Sequence, residues 1–197
     1  MTTMGAGMIN MKKSGLLAAV ALAAMSSLSC NNDLTNDASP VELVVTHTQR
    51  LSILDVAPGN EATCNAEIGT INMQVIPKSA NATGTASQVR VNRYQVTYRR
   101  TDGGTVVPAS FVRAIDTLIA VGGSAGSDFS LFQLGAFSQA PFASLLPQNG
   151  GRDAETLQPI IGMEVTLSVF GETLGGDNVF DTTTIPLEFC FDCGGCR

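Results

Sequence analysis

The stretch Met163-Glu164-Val165-Thr166-Leu167-Ser168-Val169 alternates apolar and polar residues without a break. A period of two puts Met163, Val165, Leu167 and Val169 on one face of a strand and the polar residues on the other. A few residues on, Thr173-Leu174-Gly175-Gly176-Asp177-Asn178 supplies the Gly, Asn and Asp of a tight turn. Ile185, Leu187, Phe189 and Phe191 then alternate again. Two such runs flanking a turn read as an antiparallel pair with one wet face, the mark of an all-β chain rather than of a parallel sheet.

The same pattern extends upstream. Val41-Glu42-Leu43-Val44-Val45-Thr46 forms one run, and Ile71, Met73 and Val75 share a face in another that Pro77 stops. Val89-Arg90-Val91 continues into Tyr94-Gln95-Val96-Thr97-Tyr98, but the apolar parity flips between them, which predicts a bulge near Asn92-Arg93. Thr101-Asp102-Gly103-Gly104 is a hairpin signal leading into a strand at Thr105-Val106-Val107. Less regular segments follow around 112–121 and 129–134, and one short helix is expected near 139–146, bounded by Pro147. The reading is a single domain over 41–197 with about seven strands, first an immunoglobulin-like antiparallel Greek-key sandwich and second a small barrel.

Arg93-Tyr94-Gln95-Val96-Thr97-Tyr98-Arg99-Arg100-Thr101-Asp102-Gly103-Gly104 resembles the third-strand hairpin of fibronectin type III domains, which often reads Tyr-x-Val-x-Tyr-Arg before a glycine turn. The likeness covers 12 residues and implies the sandwich class, with nothing about function. No core Trp and no tyrosine corner accompany it.

Composition narrows the classes further. The chain has 197 residues, 44% apolar and 14% charged, too apolar and too weakly charged for a disordered chain. Eleven basic against 17 acidic residues give −6, which argues against nucleic acid as a partner.

The N-terminus reads as an export signal. Lys12-Lys13 precede the 11-residue apolar run Gly15–Met25, followed by Ser26-Ser27-Leu28-Ser29 and Cys30. That run is too short for a permanent span, which needs about 20 apolar residues. Leu28-Ser29-Cys30 resembles the lipobox of bacterial lipoproteins, although Ser27 stands where that family prefers Leu. The resemblance implies a signal peptide over 1–29, diacylation of Cys30 on sulfur after cleavage, and membrane attachment through the acyl chains. Met11 before the two lysines is the expected translation start. Cleavage leaves nine basic and 17 acidic residues, −8, so attachment to an anionic surface must come from the lipid. Residues 30–40 then form a lipidated cysteine and polar tether. Asn31 rather than Asp after the cysteine favours the outer over the inner membrane.

Catalytic patterns are lacking. His47, the sole histidine, is expected at a solvated strand end, and no Gly-x-Ser-x-Gly elbow occurs. Asp153 with Glu155 and Asp177 with Asp181 read as turn residues, lacking the spacing of a Ca²⁺ loop. Gly122-Gly123-Ser124-Ala125-Gly126 lacks the Gly-Lys of a phosphate loop and reads as a mobile loop. Arg90, Arg93, Arg99 and Arg100 make no single stripe and read as surface ion pairs on an exposed strand.

The remaining cysteines are Cys64, Cys190, Cys193 and Cys196. An even four in an exported chain predicts two disulfides, Cys64 to one tail cysteine and the other two to each other. The alternative is that the same four sulfurs hold a metal or act in redox chemistry. No cofactor is expected. The functional expectation is a monomeric, lipid-anchored, extracytoplasmic protein of the bacterial envelope. It is non-enzymatic, with a binding or structural role toward another envelope protein or a glycan.

Overall fold

A computed structural model of the chain describes residues 38–47, 53–57 and 67–193. Cys30, Cys64 and Cys196, with the signal, the lipid site and most of the tether, lie outside the described residues.

Eight strands occur among the described residues: β1 (Val41–His47), β2 (Ile53–Asp55), β3 (Glu67–Pro77), β4 (Val89–Arg100), β5 (Phe111–Ile119), β6 (Ser124–Ser130), β7 (Ile160–Thr173) and β8 (Asn178–Cys190). They form one sheet in the order β1-β3-β6 and a second in the order β2-β8-β7-β4-β5. The chain is therefore all-β with two sheets. Alternation predicts about seven strands, and β2 is a short strand that no alternating run announces. It pairs parallel to β8, with Ile53 opposite Glu188 and Asp55 opposite Cys190.

The period of two in β7 is real. Val165 and Leu167 are fully buried, while Thr166 and Ser168 stay partly exposed. Leu43, Ile71 and Met73 of the first sheet join Tyr94, Val96, Val165, Leu167 and Phe189 of the second in one apolar cluster, so the sheets share a core. The expected bulge is present: the register of β4 shifts between Val91 and Arg93 against both β5 and β7. Asn92 and Arg93 consequently both face solvent, and Tyr94, Val96, Tyr98 and Arg100 continue the inward face.

Strand directions define two poles. Val45 N–H donates to Asp181 Oδ2 at 2.7 Å, and His47 Nδ1 lies 3.0 Å from Thr183 Oγ1. β1 and β2 thus each run beside β8 and in its direction, away from Val41. At the near pole, where Val41 begins β1, lie the connections 78–88, 120–123 and 174–177. At the far pole lie 101–110, 131–159 and residues 191–193.

Three local expectations are corrected. Thr105-Val106-Val107 is no strand, because the Thr105 and Val106 amides donate to the Glu155 carboxylate at 2.7 and 2.8 Å instead of to a neighbouring strand. The short helix near 139–146 resolves into 3-10 turns at Ala136–Ser138, Phe142–Leu145 and Pro147–Asn149, with Pro141 and Pro147 interrupting any longer ladder. Gly122-Gly123 is a turn, with Gly122 at φ +73°, and Ser124 to Gly126 already belong to β6.

Candidate functional site

Among the described residues, the far pole carries most of the irregular chain. Its two long connections are nearly free of charge: no ionisable residue stands between Asp102 and Arg113, and none between Asp128 and Arg152. Such segments order only if they bury apolar groups or fix their polar ones.

Phe132, Phe137 and Phe142 do the first, packing against Phe189 of β8 with ring centroids 4.5 to 6.2 Å apart. Tyr98 stacks on Phe132 at 5.4 Å and donates its hydroxyl to the Leu131 carbonyl at 2.7 Å. Burial, then the neighbouring Tyr94, pushes the Tyr98 hydroxyl above its ordinary range.

Arg100 does the second. It ends the inward face of β4 with a side chain only 1% exposed. Its Nε and Nη2 donate to the two Asp102 oxygens at 2.8 and 2.7 Å. Nη1 and Nη2 reach the two Asp153 oxygens at 3.3 and 3.0 Å, and Nη1 also reaches the Val106 carbonyl. Asp153 further accepts the Glu155 and Thr156 amides and the Thr156 hydroxyl. Asp102 accepts the Gly104 and Gly162 amides. Burial works against the Asp153 charge, but the Arg100 and Thr156 hydrogen bonds outweigh it and hold the carboxyl at about 2. One guanidinium therefore fastens the 101–110 connection to the 150–159 segment, with its charges compensated.

A second cluster sits on the β2–β8 side. Cys190 and Cys193 form a disulfide with Cα atoms 6.0 Å apart. Val56 N–H donates to the Cys190 carbonyl, and buried Asp55 accepts the Ala57 and Asp192 amides. An apolar recess of about 270 Å³, lined by Ile53, Pro159, Ile160, Phe191 and the disulfide, opens beside it. A smaller, mainly polar recess of about 60 Å³ lies between Pro108 and Leu134, lined also by Gln133 and Gln139. Val106, Val107, Leu134, Leu157 and Ile160, five of the nine exposed large apolar side chains described, surround this pole, and Leu134 is 97% exposed.

The sequence-picked residues fall as follows. His47 ends β1 against Thr183. Asp177 and Asp181 serve different strands, Asp181 through its bond to Val45. Arg90 pairs with Asp116 and Arg99 with Glu164 on the exposed face, and Arg93 lies 4.7 Å over the Phe170 ring. Arg100 with Asp153 departs from the expected surface pair and solvated turn residue. The signal available was parity: after the bulge, Tyr94, Val96 and Tyr98 point inward, and Arg100 follows them by two. Cys190 and Cys193 are bonded to each other, which removes both sulfurs from any thiolate metal set in this oxidation state. Among the described residues no three His, Cys, Asp or Glu side chains gather as a metal site, and no helix is long and apolar enough to cross a membrane. No protein-family model matches the chain, and no curated protein matches it.

Proposed function

We propose that the chain is a lipid-anchored, extracytoplasmic protein of the bacterial envelope that binds a partner through the far pole and catalyses nothing. The observation that carries this reading is the polarity of the domain. The tether reaches the sandwich at Val41, while the charge-poor connections and the exposed Val106, Val107, Leu134, Leu157 and Ile160 sit at the other end. Exposed apolar groups gathered at one end are a mark of a recognition surface. A second envelope protein or a glycan is the expected class of partner, and the lipobox resemblance at Cys30 supplies the anchor.

The finer fold proposed is an immunoglobulin-like Greek key. In support, β1 and β2 behave as two halves of one first strand divided between the sheets, with the second half parallel to the last strand. The segment resembling fibronectin type III then falls on the third strand in that scheme, β4 and its following turn.

The test is site-specific photo-crosslinking in intact cells from position 134 at the far pole and from position 174 at the near pole. A defined envelope adduct from 134 alone is expected. Adducts of equal yield from both positions, or from 174 alone, would refute the assignment.

A further inference from the structure

We propose that β5 is the pairing edge of a homodimer, in which two copies join antiparallel through Phe111–Ile119 about Ile115. The two sheets have four edge strands, β1, β6, β2 and β5. Unprotected edges invite strand addition, and natural sheets shorten, cover or roughen them. β1 is covered by the Asp181 and Thr183 contacts from β8. β2 has three residues, and β6 is the short, small-residue run Ser-Ala-Gly-Ser-Asp-Phe-Ser. β5 has nine residues, and among the described residues its only ladder is with β4. Against β4 the register shift sets Ile115 and Asp116 opposite the single residue Asn92, and 112, 114, 116 and 118 still face outward along β5.

The sequence of this edge is self-complementary. Two copies related by a two-fold axis normal to the sheet keep matching faces only in registers that pair odd with odd and even with even. The register centred on Ile115 uses all nine residues. It sets Val112 against Leu118 of the second copy, twice, and Phe111 against Ile119. Val112 and Leu118 are 57% and 56% exposed in the single chain, so this pairing covers the two large apolar side chains that β5 leaves in water. Charge does not oppose it: Asp116 faces Ala114, Arg113 faces Thr117, and Asp116 is neutralised within its own chain by Arg90 at 2.7 and 2.8 Å. The pairing rests on the fold and not on the anchor, replaces the monomer expected from the sequence, and leaves both far poles open.

The test is sedimentation of the intact purified protein with four variants. Wild type is expected as a dimer, Val112→Lys and Leu118→Lys as monomers, and Leu134→Lys as a dimer. Both β5 positions are more than half exposed, so near-ultraviolet circular dichroism should confirm that the variants fold. The double variant Val112→Lys/Leu118→Glu tests the register, because each Lys then faces a Glu across the axis; it should recover the dimer and lose it in high salt. A monomeric wild type at every concentration, a dimer that survives both single lysines, or a double variant that stays monomeric at low salt would overturn the proposal.

Discussion

The Arg100 guanidinium lies 3.0 Å from the Asp153 carboxylate, with side chains only 1% and 2% exposed, 53 residues apart in sequence. A buried pair that also engages Asp102 and three backbone or hydroxyl donors is costly to break, because removing one partner leaves the other charge buried and uncompensated. Arg100→Met should destabilise the domain by about 3–5 kcal/mol, because it strands Asp153 without its partner. Chemical denaturation measures it; a loss as small as that for Arg90→Met, whose ion pair is exposed, would show that the network is not buried in solution.

The same pair sets an acid limit. The Asp153 carboxyl sits at about 2 in the folded chain, below its ordinary value of 3.8. A depressed carboxyl stabilises the fold above the unfolded pKa, and that stability is lost as pH falls through the folded one. The loss should therefore fall between about pH 4 and pH 2 and amount to about 2 kcal/mol. Asp153→Asn should flatten that part of the stability profile. An unchanged profile in the variant would mean that other carboxylates govern acid unfolding.

Much of this fold was legible because period-two alternation survives wherever one face is buried. The 163–169 part of β7 and the 185–189 part of β8 could be read residue by residue, and the parity flip at Asn92 located the bulge. The 178–184 half of β8 shows no clean alternation, and Phe191 falls just past the strand end. β2 could not, since three residues carry no period. The connections failed for another reason: Thr105-Val106-Val107 has strand composition, but the Glu155 carboxylate, 49 and 50 residues away, takes the amides a strand would use. At the far pole, Arg100 was legible only to a reader who carried the inward parity of Tyr94, Val96 and Tyr98 through to the strand end. Asp153 was not, because a turn aspartate and a buried ion-pair aspartate look alike without the third dimension.

The face assignment of β7 has an energetic consequence. Leu167 is fully buried and Thr166 is not. Leu167→Ala should cost about 2–5 kcal/mol through lost burial and the cavity left behind. Thr166→Ala should cost far less, and equal losses in denaturant titrations would contradict the packing.

In the lipid-anchoring scheme we propose, membrane attachment runs through Cys30. Cys30→Ser should leave the signal uncut or release the protein from membranes, since the acidic mature chain has no electrostatic attraction to anionic lipid. Fractionation and intact mass are the readouts. The same membrane fraction and the same mass in the variant would remove the lipid from the scheme.

The last prediction concerns the cysteines beyond the described residues. With Cys190 bonded to Cys193, the expected pairing of Cys64 with a tail cysteine leaves Cys196 as its partner. The chain geometry allows this. Asp55 is in register with Cys190, and Val56 donates to the Cys190 carbonyl, so the end of β2 lies beside the tail. Cys64 is eight residues beyond Val56, a reach of up to about 26–29 Å, and Cys196 is three beyond Cys193, about 10 Å. The two bonds should differ in worth. The Cys190–Cys193 bond closes a ring of four residues, whereas Cys64–Cys196 closes a loop of about 130, stabilising by up to about 5 kcal/mol in the chain-entropy model against about 2 kcal/mol for the small ring. Replacing Cys64 and Cys196 by Ser should therefore lower the melting temperature more than replacing Cys190 and Cys193. Non-reducing peptide mapping decides the connectivity first: a Cys64 peptide recovered with a free thiol, or linked anywhere but to the tail, would refute the pairing.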